Sequence, residues 1–321
     1  MNVLESIAVF TENRITKRRQ KKIDKKNAKK TFLGELKDWI SAFLFAIIVV
    51  SLFNMWGCQQ YIVPTGSMET TIMGGDRLFV NKRAYGTELY SYGPKRGDKT
   101  PERGDVITFY NPEYESSSAF VESARDLLFL GTFTLVNLNK DKSGNPLEKM
   151  FIKRAIGLPG DRVRFINGNV YIRRFGSTKY VKEDLLSSSK VYTPYRIIEN
   201  DEYNSIRLYA EAFEYDAKKK AIPSYIESRL YLNGMPKNLD YFEAEKFLNR
   251  VDLYFSPNNT EYIENEGTSF YGSYVKENHI LPLGDNRDGS HDGRFFGPVS
   301  NSKINGRAMF IVFPFKRMKA L

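Results

Sequence analysis

Ser67 lies in the run Tyr61-Ile62-Val63-Pro64-Thr65-Gly66-Ser67-Met68, between a glycine and a bulky apolar residue and straight after a strand-like stretch. A serine so placed can be presented on a turn with its backbone N–H free, as a nucleophile requires, although Gly-Ser is first of all a loop signal. A second feature is the pair Lys153-Arg154, which interrupts the apolar run Phe151-Ile152-Lys153-Arg154-Ala155-Ile156 just before the bend Gly157-Leu158-Pro159-Gly160. Strand neighbours face opposite ways, so at most one of these cations is expected to look outward while the other faces the packed side. Burial disfavours the charged form of a lysine and lowers its pKa from about 10.4, which is how lysine becomes a general base. The plain alternative is an edge-strand lysine that blocks aggregation. A third cluster, Gly284-Asp285-Asn286-Arg287-Asp288-Gly289-Ser290-His291-Asp292-Gly293-Arg294, follows the apolar residues 280–283. So dense a mixture of charge and turn residues suits a loop folded over a functional site and satisfied through Asp to Arg pairs. Arg287 and Gly289 break the alternation of a calcium loop, so no metal is expected.

These segments need a frame. Strand-like runs of β-branched and aromatic residues at 106–110, 151–156, 163–166, 170–173 and 308–313 predict a mainly β fold. Asn167-Gly168-Asn169 is a tight hairpin turn between two of them, and Arg103-Gly104-Asp105-Val106 a turn into a buried strand. A weak helical pattern shows at 211–220 and 240–251. Two stretches read as insertions: 111–149, and 182–279, which is rich in tyrosine and charge. The expected organisation is a basic tail at 1–38, an anchor at 39–58, a first part of the core at 59–181, an inserted α+β subdomain at 182–279 and a second part of the core at 280–321.

The net charge of +10 on 321 residues is concentrated at the front, where Arg14, Lys17, Arg18, Arg19, Lys21, Lys22, Lys25, Lys26, Lys29 and Lys30 are relieved only by Asp24. No zinc-ligand spacing or recognition-helix signature accompanies that tail, which argues against nucleic acid as a partner. Residues 39–56 then carry no charge and hold a tryptophan at each end. At roughly 1.5 Å per residue, 18 to 22 such residues span a hydrocarbon core of about 30 Å, so one transmembrane helix is expected. The positive-inside rule puts residues 1–38 in the cytoplasm and everything after Gln59 outside, single-pass in the plasma membrane. A cleavable signal peptide fits poorly with so long a basic region, a lipid-modified Cys58 with its neighbours Met55 and Trp56, and a buried core helix with the basic run. The single cysteine, Cys58, excludes an intrachain disulfide framework. The apolar residues 127–136 are too short to span and read as a buried strand or as a contact with the outer leaflet near Ser67.

In order along the chain, Pro64-Thr65-Gly66-Ser67-Met68, Arg103-Gly104-Asp105-Val106, Lys153-Arg154 with Gly157-Leu158-Pro159-Gly160-Asp161, and the 284–294 cluster resemble the type I signal peptidases of bacteria. The resemblance implies a signal-peptidase-like antiparallel β core that uses no cofactor, with Ser67 as nucleophile and Lys153 as its base. It further implies that Ser290 orients the lysine amine, that the Ser67 N–H and the Thr65 hydroxyl hold the oxyanion, and that Asp292 and Arg294 brace the site. The implied partners are membrane lipids and secreted preproteins with small residues at the first and third positions before the cut. Val63, Met68, Ile72, Phe151 and Ile152 are the candidate walls for those residues. Departures from the family pattern are Thr65 for a common serine, Thr70 for a proline, Gly289 for an asparagine and Gly293 for a serine. Two other readings share these motifs: a catalytically inactive, membrane-tethered preprotein-binding scaffold, and a self-cleaving Ser-Lys repressor-type peptidase.

Overall fold

The computed structural model describes residues 11–21, 32–88, 95–96, 99–114, 121, 149–186 and 192–321. The chain divides into two compact units, Met1–Ser51 and Leu52–Leu321. The run 127–136 and nearly all of the expected insertion 111–149 lie outside the described residues.

In the first unit residues 11–21 are helical, and a second helix, α1, runs Phe32–Trp56. Helix α1 starts well before the predicted residue 39 because Glu35, Lys37 and Asp38 are tolerated in its first turns. The predicted anchor also ends too late, since Cys58 already belongs to a strand. Among the described residues no helix is long and apolar enough to cross a membrane. The expected transmembrane helix is thus not found among the described residues, although residues 39–56 lie within α1.

The second unit is built on antiparallel strands, in keeping with the mainly β expectation. They are β1 (Cys58–Ile62), β2 (Arg77–Asn81), β3 (Thr87–Glu88), β4 (Lys95–Arg96), β5 (Val106–Tyr110), β6 (Met150–Gly157), β7 (Arg162–Ile166), β8 (Asn169–Arg173), β9 (Val181–Lys182), β10 (Ser273–Tyr274), β11 (His279–Leu283), β12 (Val299–Ser300), β13 (Ile304–Phe313) and β14 (Lys319–Ala320). The main sheet has the order β1-β2-β13-β5-β6-β11-β12, with β14 also on β13. A smaller sheet has the order β10-β7-β8-β9. Strand β6 lies between β5 and β11, but β11 pairs only with its second half, Arg154 to Gly157, so Lys153 is strand-paired on the β5 side alone. Both faces of the sheet are packed: Val63, Met68, Ile72, Leu78, Val80 and Val106 fill one side, and Ile107, Phe109, Ala155, Ile280 and Ile304 the other.

The region predicted as an α+β subdomain is helical over most of its length, with α2 (Glu202–Ala217), α3 (Ser224–Asn233), α4 (Tyr241–Phe255) and α5 (Thr260–Tyr271). Residues 211–220 and 240–251 had marked parts of α2 and α4. The other two helices were missed because their apolar positions are thin and largely aromatic; α5 buries no residue at all. The final residues of the stretch rejoin the sheets, with Ser273 opposite Val163.

Candidate active site

The loop 63–76 joins β1 to its antiparallel neighbour β2 and is pinched at its base, where Val63 N donates to Asp76 O at 2.9 Å and Gly75 N to Val63 O at 2.7 Å. Val63, Met68 and Ile72 turn inward and make its floor, and a short turn closes where Thr71 N and Ile72 N both donate to Met68 O. Asp76 accepts Met73 N at 2.9 Å and pairs with Arg317, which fastens the loop's far end. Ser67 is thereby held at the top of a packed loop, and among the described residues its own N–H donates no hydrogen bond.

Strand β6 delivers the partner. Lys153 lies opposite Ile107 on β5, and its Nζ donates to Ser67 Oγ at 2.6 Å. Both are nearly closed to solvent, Ser67 at 7% exposure and Lys153 at 4%. The Phe151 ring, on the same side of β6, lies 5.5 Å from the Lys153 ammonium and stacks on Phe296.

At most one of the two adjacent cations was expected to look outward, and neither does. Arg154 is 3% exposed because its side of the central strand is covered too. Its Nε and Nη2 donate to the two oxygens of Asp285, at 2.8 and 2.5 Å, and its Nη1 to Gly104 O at 2.8 Å. Thr71 Oγ1 donates to the same carboxylate at 2.6 Å. The pairing follows from register: Leu283, the last residue of β11, lies opposite Arg154, so the chain leaves the sheet just where Asp285 can meet the guanidinium. A bulge between Leu281 and Pro282 admits the proline, which has no N–H for the ladder.

The loop after β11 packs directly on the turn that carries Ser67. Asn286 N donates to Ser67 O at 3.1 Å, and Asn286 Nδ2 to Gly66 O at 3.2 Å. Gly284 is what permits the approach, because a Cβ there would collide with Ser290 Oγ and the Ser67 carbonyl. Arg287, buried, grips Glu183 through two bonds of 2.6 Å. Asp292 accepts Gly284 N at 2.9 Å and Arg294 Nε at 2.9 Å, while Arg294 Nη2 donates back to Arg287 O and Ser290 O. Burial by itself would raise the Asp292 carboxyl, but the charge and hydrogen bonds of Arg294, the Gly284 N–H and the charge of Lys153 hold it below the ordinary carboxylate value.

Of the predicted site residues, Ser67 and Lys153 meet directly, and Asp292 pairs with Arg294 in the adjoining loop. Ser290 is near by but does not bond Lys153: its Oγ is buried and has no hydrogen-bond partner. Thr65 is exposed at the loop's surface. The five candidate wall residues separate. Met68 and Ile72 are fully buried and Val63 nearly so, which makes them floor and not wall, whereas Phe151 and Ile152 are half-buried on opposite sides of β6. The sequence reading gave no role to Asp285, Asn286 and Arg287, although all three stand in the quoted cluster. Glu183 carries no motif that could have marked it.

A serine and a lysine far apart in sequence are thus in hydrogen-bond contact beside an antiparallel sheet. The family model of signal peptidase, peptidase S26, matches residues 36–313, and the chain belongs to that family. Signal peptidase I of Haemophilus influenzae is 26% identical over 294 residues, covering 90% of this chain and 72% of that protein. Signal peptidase I of Buchnera aphidicola subsp. Baizongia pistaciae is 23% identical over 84% of this chain and 74% of its own length. The Helicobacter pylori protein of the same name is 22% identical over 88% and 84% respectively.

Proposed function

We propose that this signal peptidase cuts N-terminal signal peptides from secreted preproteins with Ser67 as nucleophile and Lys153 as general base. The observation that carries the reading is the bond of 2.6 Å between Lys153 Nζ and Ser67 Oγ in a nearly closed site. Neither histidine competes, since His279 bonds Glu277 O and His291 faces Glu113 at the surface.

Neutral Lys153 takes the Ser67 proton as Oγ bonds to the scissile carbonyl carbon. The resulting oxyanion is met by the free Ser67 N–H and by the Thr65 hydroxyl. The lysine then passes its proton to the leaving amine as the C–N bond breaks. Water, losing a proton to the same lysine, adds to the ester, and Ser67 is regenerated with the acid product. Ser290 orients the amine. Its hydroxyl is buried without a partner, so turning to Lys153 breaks no existing bond.

An extended substrate has a place to pair. Strand β11 is registered against β6 only from Arg154 to Gly157, which leaves 150–153 one flank for strand addition. The half-buried Ile152 and Phe151 adjoin that flank and favour small substrate side chains. Helix α1 is the proposed membrane anchor, with the basic tail cytoplasmic, the catalytic unit outside and lipid as the contacting partner. External protease on spheroplasts then digests the catalytic unit and spares an N-terminal tag; the reverse pattern refutes the orientation.

The deciding experiment is preprotein cleavage by detergent-solubilised protein. Ser67→Ala and Lys153→Ala each lose at least about a thousandfold in rate while remaining folded. Lys153→Arg fails as well, because arginine stays protonated. Wild-type cleavage climbs from pH 6 to 10 as the neutral lysine fraction grows, where chemistry limits the rate. Substantial turnover by Lys153→Ala refutes the base assignment.

A further inference from the structure

Residues 192–198 run alongside the catalytic loop before the helices begin. Tyr195 N donates to Asp285 O at 2.7 Å and Arg287 N to Tyr195 O at 2.9 Å. At the next position Arg196 reaches several elements at once. Its Nη2 donates to Asp288 Oδ1 at 2.7 Å and to the Tyr203 hydroxyl, and lies 3.6 Å from Asp240 Oδ2. Its Nη1 donates to Asn167 O in the β7–β8 turn at 3.4 Å. Gly168, at φ +65°, leaves room for the guanidinium, which a Cβ there would strike.

The two carboxylates come from opposite sides of a seam. Asp288 belongs to the loop of Ser290 and Asp292, and also accepts Ile197 N and Ile198 N at 2.6 and 3.0 Å. Asp240 is the N-cap of α4, accepts Phe242 N and Glu243 N, and takes the Tyr203 hydroxyl at 2.6 Å. Both carboxylates are buried, at 7% and 5% side-chain exposure, and one guanidinium pairs with both. Beside the ring contact of Phe242 with Phe295, at 5.6 Å, a cleft of about 320 Å³ lies between Phe242 and the stretch 287–291. Two buried carboxylates facing each other without a cation repel strongly, so loss of Arg196 forces the loop and the helices to shift or to take up protons.

We propose that Arg196 is a positioning residue for peptide cleavage: by tying Asp288 to Asp240 it uses the inserted helices to fix the loop that presents Ser290. The proposal rests on the Ser67 and Lys153 reading above. The inserted helices are then part of the machinery that sets the turnover rate, although none of them supplies a reacting group.

The test compares full-length, detergent-solubilised wild type, Ser67→Ala, Arg196→Met, Arg196→Lys, Asp240→Asn and the double variant Arg196→Met with Asp240→Asn. The measurements are kcat and KM on one preprotein from pH 6 to 10, and the thermal midpoint. Arg196→Met is expected to lower kcat more than tenfold with KM changed less than threefold, and to alter the shape of the pH profile. Arg196→Lys recovers part of the rate. Asp240→Asn, which makes no hydrogen bond to the catalytic loop, lowers kcat about threefold, and adds nothing once Arg196 is gone. A purely structural role moves the midpoint but not kcat measured well below it. If Arg196→Met is folded and its kcat stays within twofold of wild type, the positioning role is overturned. Should Arg196→Met fail to fold, a wild-type kcat in Asp240→Asn overturns it instead. A wild type that does not cleave, or a Ser67→Ala that does, overturns the peptidase reading and this role with it.

Discussion

The sheet around Ser67 and the helices between 202 and 271 handle charge in opposite ways. Three ion pairs around Ser67 are desolvated, since Arg154 with Asp285, Arg287 with Glu183, and Arg294 with Asp292 all have side chains no more than 5% exposed, whereas Arg317 in its pair with Asp76 is 34% exposed. In the helices the pairs are nearer solvent, as with Lys218 and Glu214 or Arg250 and Glu266, and apolar groups such as Tyr231, Leu232 and Phe270 lie exposed. A desolvated pair is expensive unless both partners are in place, so it penalises any geometry but one. A wet pair tolerates many geometries and contributes little. The catalytic part is therefore specified by charge, the helical part only loosely, and Arg196 is where the second is fastened to the first.

The sharpest way to break that contrast is to remove one partner of the innermost pair. Arg154→Met leaves the buried Asp285 carboxylate without its ion-pair partner, held only by the Thr71 hydroxyl and the nearby charge of Arg287, and is expected to cost roughly 3–5 kcal/mol, or on the order of 10 °C in the thermal midpoint. Removing both charges with Arg154→Met and Asp285→Asn recovers part of the loss, because no orphaned ion remains. Calorimetry of the two variants decides it, and a midpoint for Arg154→Met equal to wild type refutes the premise.

The strands were legible because β-branched and aromatic residues crowd 106–110, 151–156, 163–166 and 170–173 between turn signals. Only the second half of β13 was read, since Asn305, Gly306 and Arg307 break the apolar pattern of its first half. Ser67 and Lys153 were legible as motifs, and their union 86 residues apart rested on resemblance until the sheet brought them together. Pairing of Asp292 with Arg294 inside the cluster agrees with the expected Asp to Arg pairs, but the long-range ion pairs were not legible. Arg287 finds Glu183 across 104 residues and Arg196 finds Asp288 across 92, distances over which sequence pattern carries no register. The two adjacent cations show a related limit: alternation says that neighbours face opposite ways and so that at most one is exposed, but only topology says that both faces are covered.

A smaller effect tests the pH dependence of the desolvated class. The Asp292 carboxyl is held below its ordinary value, with burial opposing and Arg294 prevailing. A depressed carboxylate contributes stability that is fully present above the unfolded value, near 4, and is lost as pH falls through the lower folded value. Asp292→Asn is therefore expected to lower stability at pH 7 by roughly 1.5–3 kcal/mol, the worth of hydrogen bonds to a charged group. Its deficit against wild type shrinks in acid below about pH 4. Denaturant titrations at pH 7, 5 and 3 check this. A deficit that does not change with pH means that the carboxylate's charge is not what holds the loop.

The smallest expected effect lies in the helices and completes the contrast. Glu214 Oε1 accepts Lys218 Nζ at 2.6 Å, nearly as short as the 2.5 Å contact of Arg154 with Asp285, so length alone predicts a similar contribution. Its setting says otherwise. The pair is an i,i+4 pair on one helix, its side chains are 14% and 18% exposed, and the Lys218 ammonium keeps the Tyr254 ring 5.1 Å away when the carboxylate goes. Pairs of this type stabilise by about 0.3–0.5 kcal/mol. Glu214→Gln retains an acceptor and should shift the thermal midpoint by no more than about 2 °C, with less effect still in 1 M salt. Cleavage should be unchanged, because Glu214 lies eleven residues along α2 from Tyr203, about 16 Å from the Arg196 contact. A loss as large as that of Arg154→Met would mean that desolvation is not what separates the two regions.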